Sequence, residues 1–163
     1  INAHFHLDLS YNQKVSWNDK EARKGLLLGS FSTPTDNRKK DIPSVSIFLD
    51  SWKDIIQKLS QAEYFITGRH HEMYAACLAR CPFYVFKGNS WKNEGLLETA
   101  ACRLALGPKF PFPFSEEDDG VGNFMKGNED ASVFSSHVED IKEALPAFDK
   151  LFNWMDEQEP LTL

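Results

Sequence analysis

The sequence predicts an α/β fold, a Rossmann-like parallel sheet flanked by helices. Three observations carry that expectation. The runs GLLLGSFS (Gly25 to Ser32), YFIT (Tyr64 to Thr67) and FYVF (Phe83 to Phe86) are short, continuous and apolar, as strands buried on both faces are. Segments with helical periodicity stand between them, and parallel strands need such crossovers. Turn residues bound each run, and no repeat or low-complexity segment interrupts the pattern.

Taken in order, the opening INAHFHLDLSYN alternates, with Ile1, Ala3, Phe5, Leu7 and Leu9 on one side. It reads as a half-buried strand or an extended connector. His4, His6 and Asp8 share the other face, because successive strand side chains point to opposite sides. Such a trio has metal-ligand chemistry, yet no matching cluster follows on later strands, so it reads as a polar face and no metal is expected. Trp17 to Lys24 is a polar loop or short helix, so residues 1–24 form an extension or connector ahead of a domain over 25–163.

Beyond the first apolar run, Thr33 to Pro43 carries turn signals throughout, and Val45 to Asp50 is a strand or an approach to the next helix. Ser51 is placed to cap WKDIIQKLSQA, where Trp52, Ile55, Ile56 and Leu59 make a helical stripe. After YFIT and a turn at Gly68, His71 to Arg80 reads as a helix ended by Pro82. Its packing face is Met73, Ala76, Cys77 and Cys81, widened by Ala75, Leu78 and Ala79, small residues that imply close contact with the sheet. FYVF follows, then the turn Lys87 to Ser90 and a helix with Leu96, Leu97, Ala100, Ala101 and Leu104 on one side, terminated by Gly107 and Pro108. Lys109 to Asp130 is rich in proline, glycine and acid and is expected to be a long surface loop. His137 to Gln158 is helical, broken or kinked at Pro146.

Size and composition narrow the function. A chain of 163 residues is one domain by length and buries roughly 70% of its unfolded surface. At 42% hydrophobic and 26% charged it matches ordinary globular proteins. A net charge of -6 disfavours nucleic acid and anionic membranes, and no apolar run reaches the roughly 20 residues of a transmembrane segment. Cys77, Cys81 and Cys102 lack framework spacing and read as reduced, which suits a cytoplasmic protein, with a Golgi lumen open to a eukaryotic one. Cys77 and Cys81, one helical turn apart, read as small core residues, and Trp52, Trp91 and Trp154 as core or interface anchors. The chain begins with Ile, as a trimmed form or a part of a longer protein would.

The chemistry gathers at two strand-to-helix turns. Free N–H groups and the helix macrodipole favour a carboxylate or phosphate at Gly68-Arg69-His70-His71, and Arg69 adds a bidentate fork. His71 there can donate a hydrogen bond or take a proton from a hydroxyl. Lys87, Asn89 and Ser90 repeat the arrangement at the next helix start. The alternative is structural: Arg69 paired with Glu63 or Glu94, and the histidines as caps. No phosphate-loop, dinucleotide or nucleophile-elbow motif is present.

The stretch A-x-x-x-I-T-G-R-H-H-x-x-x-A-A-x-L-A-x-x-P-F, followed by G-N-S-W-K-N-E-G-L-L-E, resembles the C-terminal half of polysaccharide pyruvyl transferase family proteins over roughly residues 45–105. The resemblance implies the C-terminal domain of a GT-B-type transferase, with an active site between two Rossmann-like domains. It implies transfer of the pyruvyl unit of phosphoenolpyruvate to two hydroxyls of a saccharide acceptor as a ketal, without a cofactor. Arg69 and His71 fall on the family's Arg-x-His and would hold phosphoenolpyruvate, with His71 as the catalytic proton-transfer group. Lys92 falls on a later family lysine, ahead of Gly95. His70 stands where the family has leucine, and the chain is about half the length of such an enzyme. The expected substrate-binding set is thus Arg69, His70, Lys87, Asn89, Ser90, Lys92 and Glu94. A partner N-terminal domain or a homo-oligomer would complete the cleft. Two competing readings are a nucleotide-sugar glycosyltransferase, with Glu94 or Glu98 on a ribose, and a non-catalytic Rossmann-like binding domain.

Overall fold

A computed structural model of the chain describes residues 22–31, 42–87, 97, 100, 104, 117, 119–127 and 130–157. The opening stretch INAHFHLDLSYN, expected as a strand or an extended connector and carrying His4, His6 and Asp8, lies outside them, as do Asn89, Ser90, Trp91, Lys92, Glu94, Gly95, Glu98 and Cys102.

Among the described residues three parallel strands form the sheet, in the order β1 (Leu26–Leu28), β2 (Tyr64–Thr67), β3 (Phe83–Val85). Leu26 stands opposite Tyr64 and Phe65 opposite Phe83, so neighbours in space are also neighbours in sequence. Each connection between them is a crossover, and each carries one helix among the described residues. The helices are α1 (Trp52–Gln61) and α2 (His70–Leu78), which touch each other. An α/β architecture with a parallel sheet follows.

Local chemistry explains the element ends. The Ser51 hydroxyl accepts from the Asp54 amide at 3.2 Å, capping α1, while Ile55, Ile56 and Leu59 face inward. Val45 to Asp50 is the approach to α1 rather than a strand: Ser44 makes a single parallel bridge to Leu28, and a turn follows. Helix α2 is buried from Glu72 to Leu78, wider than the expected packing face, because α1, the sheet and a long C-terminal helix all press on it. Ala75, Ala76 and Cys77 permit that crowding. Pro82 is not what stops α2. The helix ends at Leu78 in a Schellman motif, with Arg80 at φ 56°, its amide on the Cys77 carbonyl and the Cys81 amide on the Ala76 carbonyl. Arg80 occupies that left-handed position while its guanidinium bonds Asn153 and Asp156 of the C-terminal helix.

The expected loop at 109–130 contains a helix, α3 (Asp119–Met125). Val121, Phe124 and Met125 are buried and spaced for one helical face, which outweighs the turn-forming glycines and acids around them. A 3-10 turn (Ala131–Phe134), capped by Asp130, leads into α4 (Ser135–Glu157). Helix α4 runs through Pro146 rather than breaking there. The missing N–H forfeits one internal bond, while buried Ile141, Ala144, Phe148, Leu151 and Phe152 hold the turns on either side against the core. Phe83 meets Phe148 edge-on at 5.1 Å between centroids, and Phe31 packs against Phe86 and Phe134. Trp154 is buried and Trp52 half-buried.

Arg23, in the segment expected to be a polar loop, is 5% exposed. Its guanidinium donates to the carbonyls of Leu59 and Ala62 at the end of α1 and of Ala79 at the end of α2. Helix C-termini present unpaired carbonyls and a negative dipole end, so one cation satisfies two helices at once. Burial lowers the Arg23 pKa from its ordinary value, and neighbouring Cys81 raises it back in part. Cys77 and Cys81 are free thiols in the core. Burial pushes Cys77 well above the ordinary thiol range and Cys81 up to about 12, the latter against an opposing pull from Arg23.

Two outcomes are expected. Arg23→Met keeps the stem but strands the helix-end carbonyls, and should cost about 2–4 kcal/mol by urea unfolding. In a Cys102→Ser background, both remaining thiols should resist Ellman's reagent at pH 8 until the chain unfolds. An unfolded thiol ionises near its ordinary pKa of about 9 while folded Cys81 holds its proton to about 12. The unfolded chain therefore binds fewer protons, and stability should fall as pH rises through that window.

Candidate functional site

Parallel strands deliver their carboxyl ends to one edge of the sheet, and three short segments meet there: Gly29-Ser30 after β1, Gly68-Arg69 after β2, and Phe86-Lys87 after β3. In this topology ligands bind outside that edge.

A buried carboxylate ties the ends of β1 and β2 to the turn before α1. Glu72, in the first turn of α2, is fully buried. Its Oε1 accepts from the Ser30 amide and the Thr67 hydroxyl, each at 2.7 Å. Its Oε2 accepts from the Ser30 hydroxyl at 2.7 Å and the Ile47 amide at 3.0 Å. Four donors from three different segments thus compensate one buried charge. The Thr67 oxygen also accepts from the Arg69 amide at 3.1 Å, so the network reaches the first residue of the candidate site. Position 29 must be glycine for this to form: a Cβ there would lie 2.3 Å from Glu72 Oε1 and 2.6 Å from Thr67 Oγ1. Sequence reasoning passed over Glu72. Its one signal was a charged residue in an otherwise small and apolar helix.

Arg69 is the N-cap residue of α2, extended at φ −118° and ψ 132°, and its side chain makes no capping bond. The guanidinium lies 5.3 Å over the ring of Phe48. Its Nε is buried without a hydrogen-bond partner, and no carboxylate among the described residues pairs with the group. The expected alternative pairing with Glu63 is therefore absent; Glu94 lies outside the described residues. His70 and His71 are half-buried with ring centroids 4.0 Å apart, and His70 meets Tyr74 edge-on at 5.6 Å. Lys87 is exposed at the end of β3, two residues beyond Val85, which pairs with Thr67. Arg69 and Lys87 thus stand at equivalent positions on adjacent strand ends.

Above Gly68 sits a carboxylate. Glu117 Oε1 lies 2.5 Å from where a Cβ at position 68 would stand, so glycine there admits a negative group against the backbone at the start of α2. Glu117 belongs to the acidic run that reads as a solvated loop in the sequence, and the structure places it half-buried at this turn instead. Among the described residues no group of three His, Cys, Asp or Glu side chains is arranged to hold a metal.

No family model matches this chain, and no curated protein or solved structure matches it either.

The network predicts its own disruption. Glu72→Gln turns an acceptor into a donor facing an amide or hydroxyl donor, and should cost about 2–4 kcal/mol by chemical denaturation. Gly29→Ala should do comparable damage, and the double variant should lose clearly less than the sum, because both break the same cluster.

Proposed function

We propose that this chain is the donor-binding part of a polysaccharide pyruvyl transferase-like protein, taking phosphoenolpyruvate at the start of α2. The observation that carries the reading is the Arg69 guanidinium: half-buried, unpaired among the described residues, and set at a helix N-terminus on the ligand edge of a parallel sheet. A planar fork of that kind matches a carboxylate or a phosphate, and phosphoenolpyruvate carries both. The carboxylate of Glu117 over Gly68 supports the same chemistry, since this turn accommodates an anionic oxygen. Lys87, one strand away, supplies a second cation for the other end of a small dianion.

In the proposed reaction, two hydroxyls of a saccharide add to C2 of the enolpyruvyl unit. C3 takes a proton to become a methyl group, and phosphate leaves from C2. Arg69 holds the anion, and His71 accepts a hydroxyl proton as the first C–O bond forms. His70 packs between His71 and Tyr74 and orients its neighbour. The acceptor half of the cleft belongs to a partner domain or a second copy.

Phosphoenolpyruvate at one hundred times its Kd should stabilise the chain by ~2.7 kcal/mol, a rise in thermal midpoint of roughly 5–10 °C for a domain this size. Arg69→Ala should abolish the shift, and Arg69→Lys should keep a small part of it. A shift produced by uridine diphosphate sugars and not by phosphoenolpyruvate would transfer the site to a nucleotide-sugar glycosyltransferase. No shift with either ligand would leave a non-catalytic binding domain.

A further inference from the structure

The opposite end of the sheet carries a second feature. Among the described residues, strand β1 is the edge strand of the sheet. Backbone groups alternate along a parallel strand, so Gly25 and Gly29, which bond to β2, face inward, while Leu26 and Leu28 face outward. Leu28 is satisfied: its amide donates to the Pro43 carbonyl at 3.0 Å and its carbonyl accepts from the Val45 amide at 2.9 Å. Leu26 is the next outward residue, and neither its amide nor its carbonyl has a partner among the described residues. The cause is chemical. Continuing the ladder would require an N–H from residue 43, and that residue is proline.

A groove of about 510 Å3 opens at this point, within the range of ligand clefts. Leu26, Leu27, Pro43 and Ala62 give it an apolar lining, and Lys24 and Lys58 line it too, with no acidic residue among the described lining residues. Neither ammonium group has an ion-pair or hydrogen-bond partner among the described residues. Two cations lining one groove, unpaired among the described residues, run against the chain's net charge of -6.

We infer that this groove binds an extended acidic peptide segment of another protein, which adds to the sheet at Leu26. The free amide and carbonyl of Leu26 match the donor and acceptor that an extended backbone presents. Lys24 and Lys58 meet acidic side chains, and the apolar lining takes the alternate residues, as strand periodicity demands. The pairing of residues 43–45 on Leu28 shows that this edge already accepts an extended segment, and the added strand takes up the ladder where Pro43 stops it.

The test is fluorescence anisotropy on the full chain with a fluorescein-labelled Glu-Val-Glu-Val-Glu-Val peptide. Saturable binding should weaken at least tenfold in the Lys24→Glu/Lys58→Glu variant, and at least tenfold when the peptide is N-methylated at alternate backbone amides. Arg69→Ala should leave it unchanged. Thermal melts confirm that the charge-reversed surface variant is folded, and the N-methylated peptide needs no variant at all. Absence of saturable binding up to about 1 mM peptide overturns the inference. So does equal binding of the N-methylated peptide, which would reduce the contact to charge attraction. Binding of octanoate that is lost on charge reversal, without peptide binding, would assign the groove to small amphipathic acids and also overturn it.

Discussion

A carboxylate taken out of water costs several kcal/mol unless its lone pairs are met, and Glu72 is fully buried with donors on both oxygens. Those donors come from the end of β1, from the turn before α1 and from the end of β2. The charge therefore dictates where three chain segments stop relative to one another. Removing any one donor leaves the same charge less compensated, so the cluster behaves as a unit rather than as four separate bonds. Gly29 belongs to it as much as Ser30 and Thr67 do, because only the absence of a Cβ lets the carboxylate approach.

Arg23 performs the complementary task at the other end of the crossovers. One buried guanidinium gathers the carbonyls that close α1 and α2, and the buried face of α2 is held between these two charged anchors. The Schellman turn at Arg80, tied to α4 through Asn153 and Asp156, adds a third polar constraint on the same helix. Apolar packing supplies the larger share of the free energy, roughly 1.5–3 kcal/mol for each large side chain buried. The polar anchors decide which arrangement that packing adopts. The start of α2 is a rigid platform as a result, and Arg69 projects from it with its amide already engaged by Thr67.

That rigidity gives Arg69, unpaired among the described residues, its meaning. A guanidinium on a mobile loop is solvated at little cost, whereas one with a buried, unbonded Nε beside an aromatic ring has lost water without gaining a partner. A bidentate anion would restore those bonds. Phe48 and Leu49, 67% and 64% exposed on the turn facing this site, set an apolar rim beside the cation.

The elements were largely legible from the sequence. Continuous apolar runs identified β1, β2 and β3, the Ser51 cap and its stripe identified α1, and the small-residue helix after Gly68 identified α2. These are local signals, since strand propensity, helical period and capping act within a few residues. Arg69, His70 and His71 were legible as a cationic turn for the same reason. Glu72, Arg23 and Glu117 were not, because each is defined by partners distant in sequence: Ser30 lies 42 residues from Glu72, and Ala79 lies 56 from Arg23. Helix α3 was hidden by the local breakers around it, and α4 was legible as a helix but runs unbroken through Pro146, because burial against the core outweighed glycine and proline. By itself the sequence determined the succession β1, α1, β2, α2 and β3 and the cationic turn before α2, through short-range rules. Only the tertiary structure decided which charges are buried, which are paired and which, like Arg69, find no partner among the described residues, because burial is a property of what packs from elsewhere in the chain.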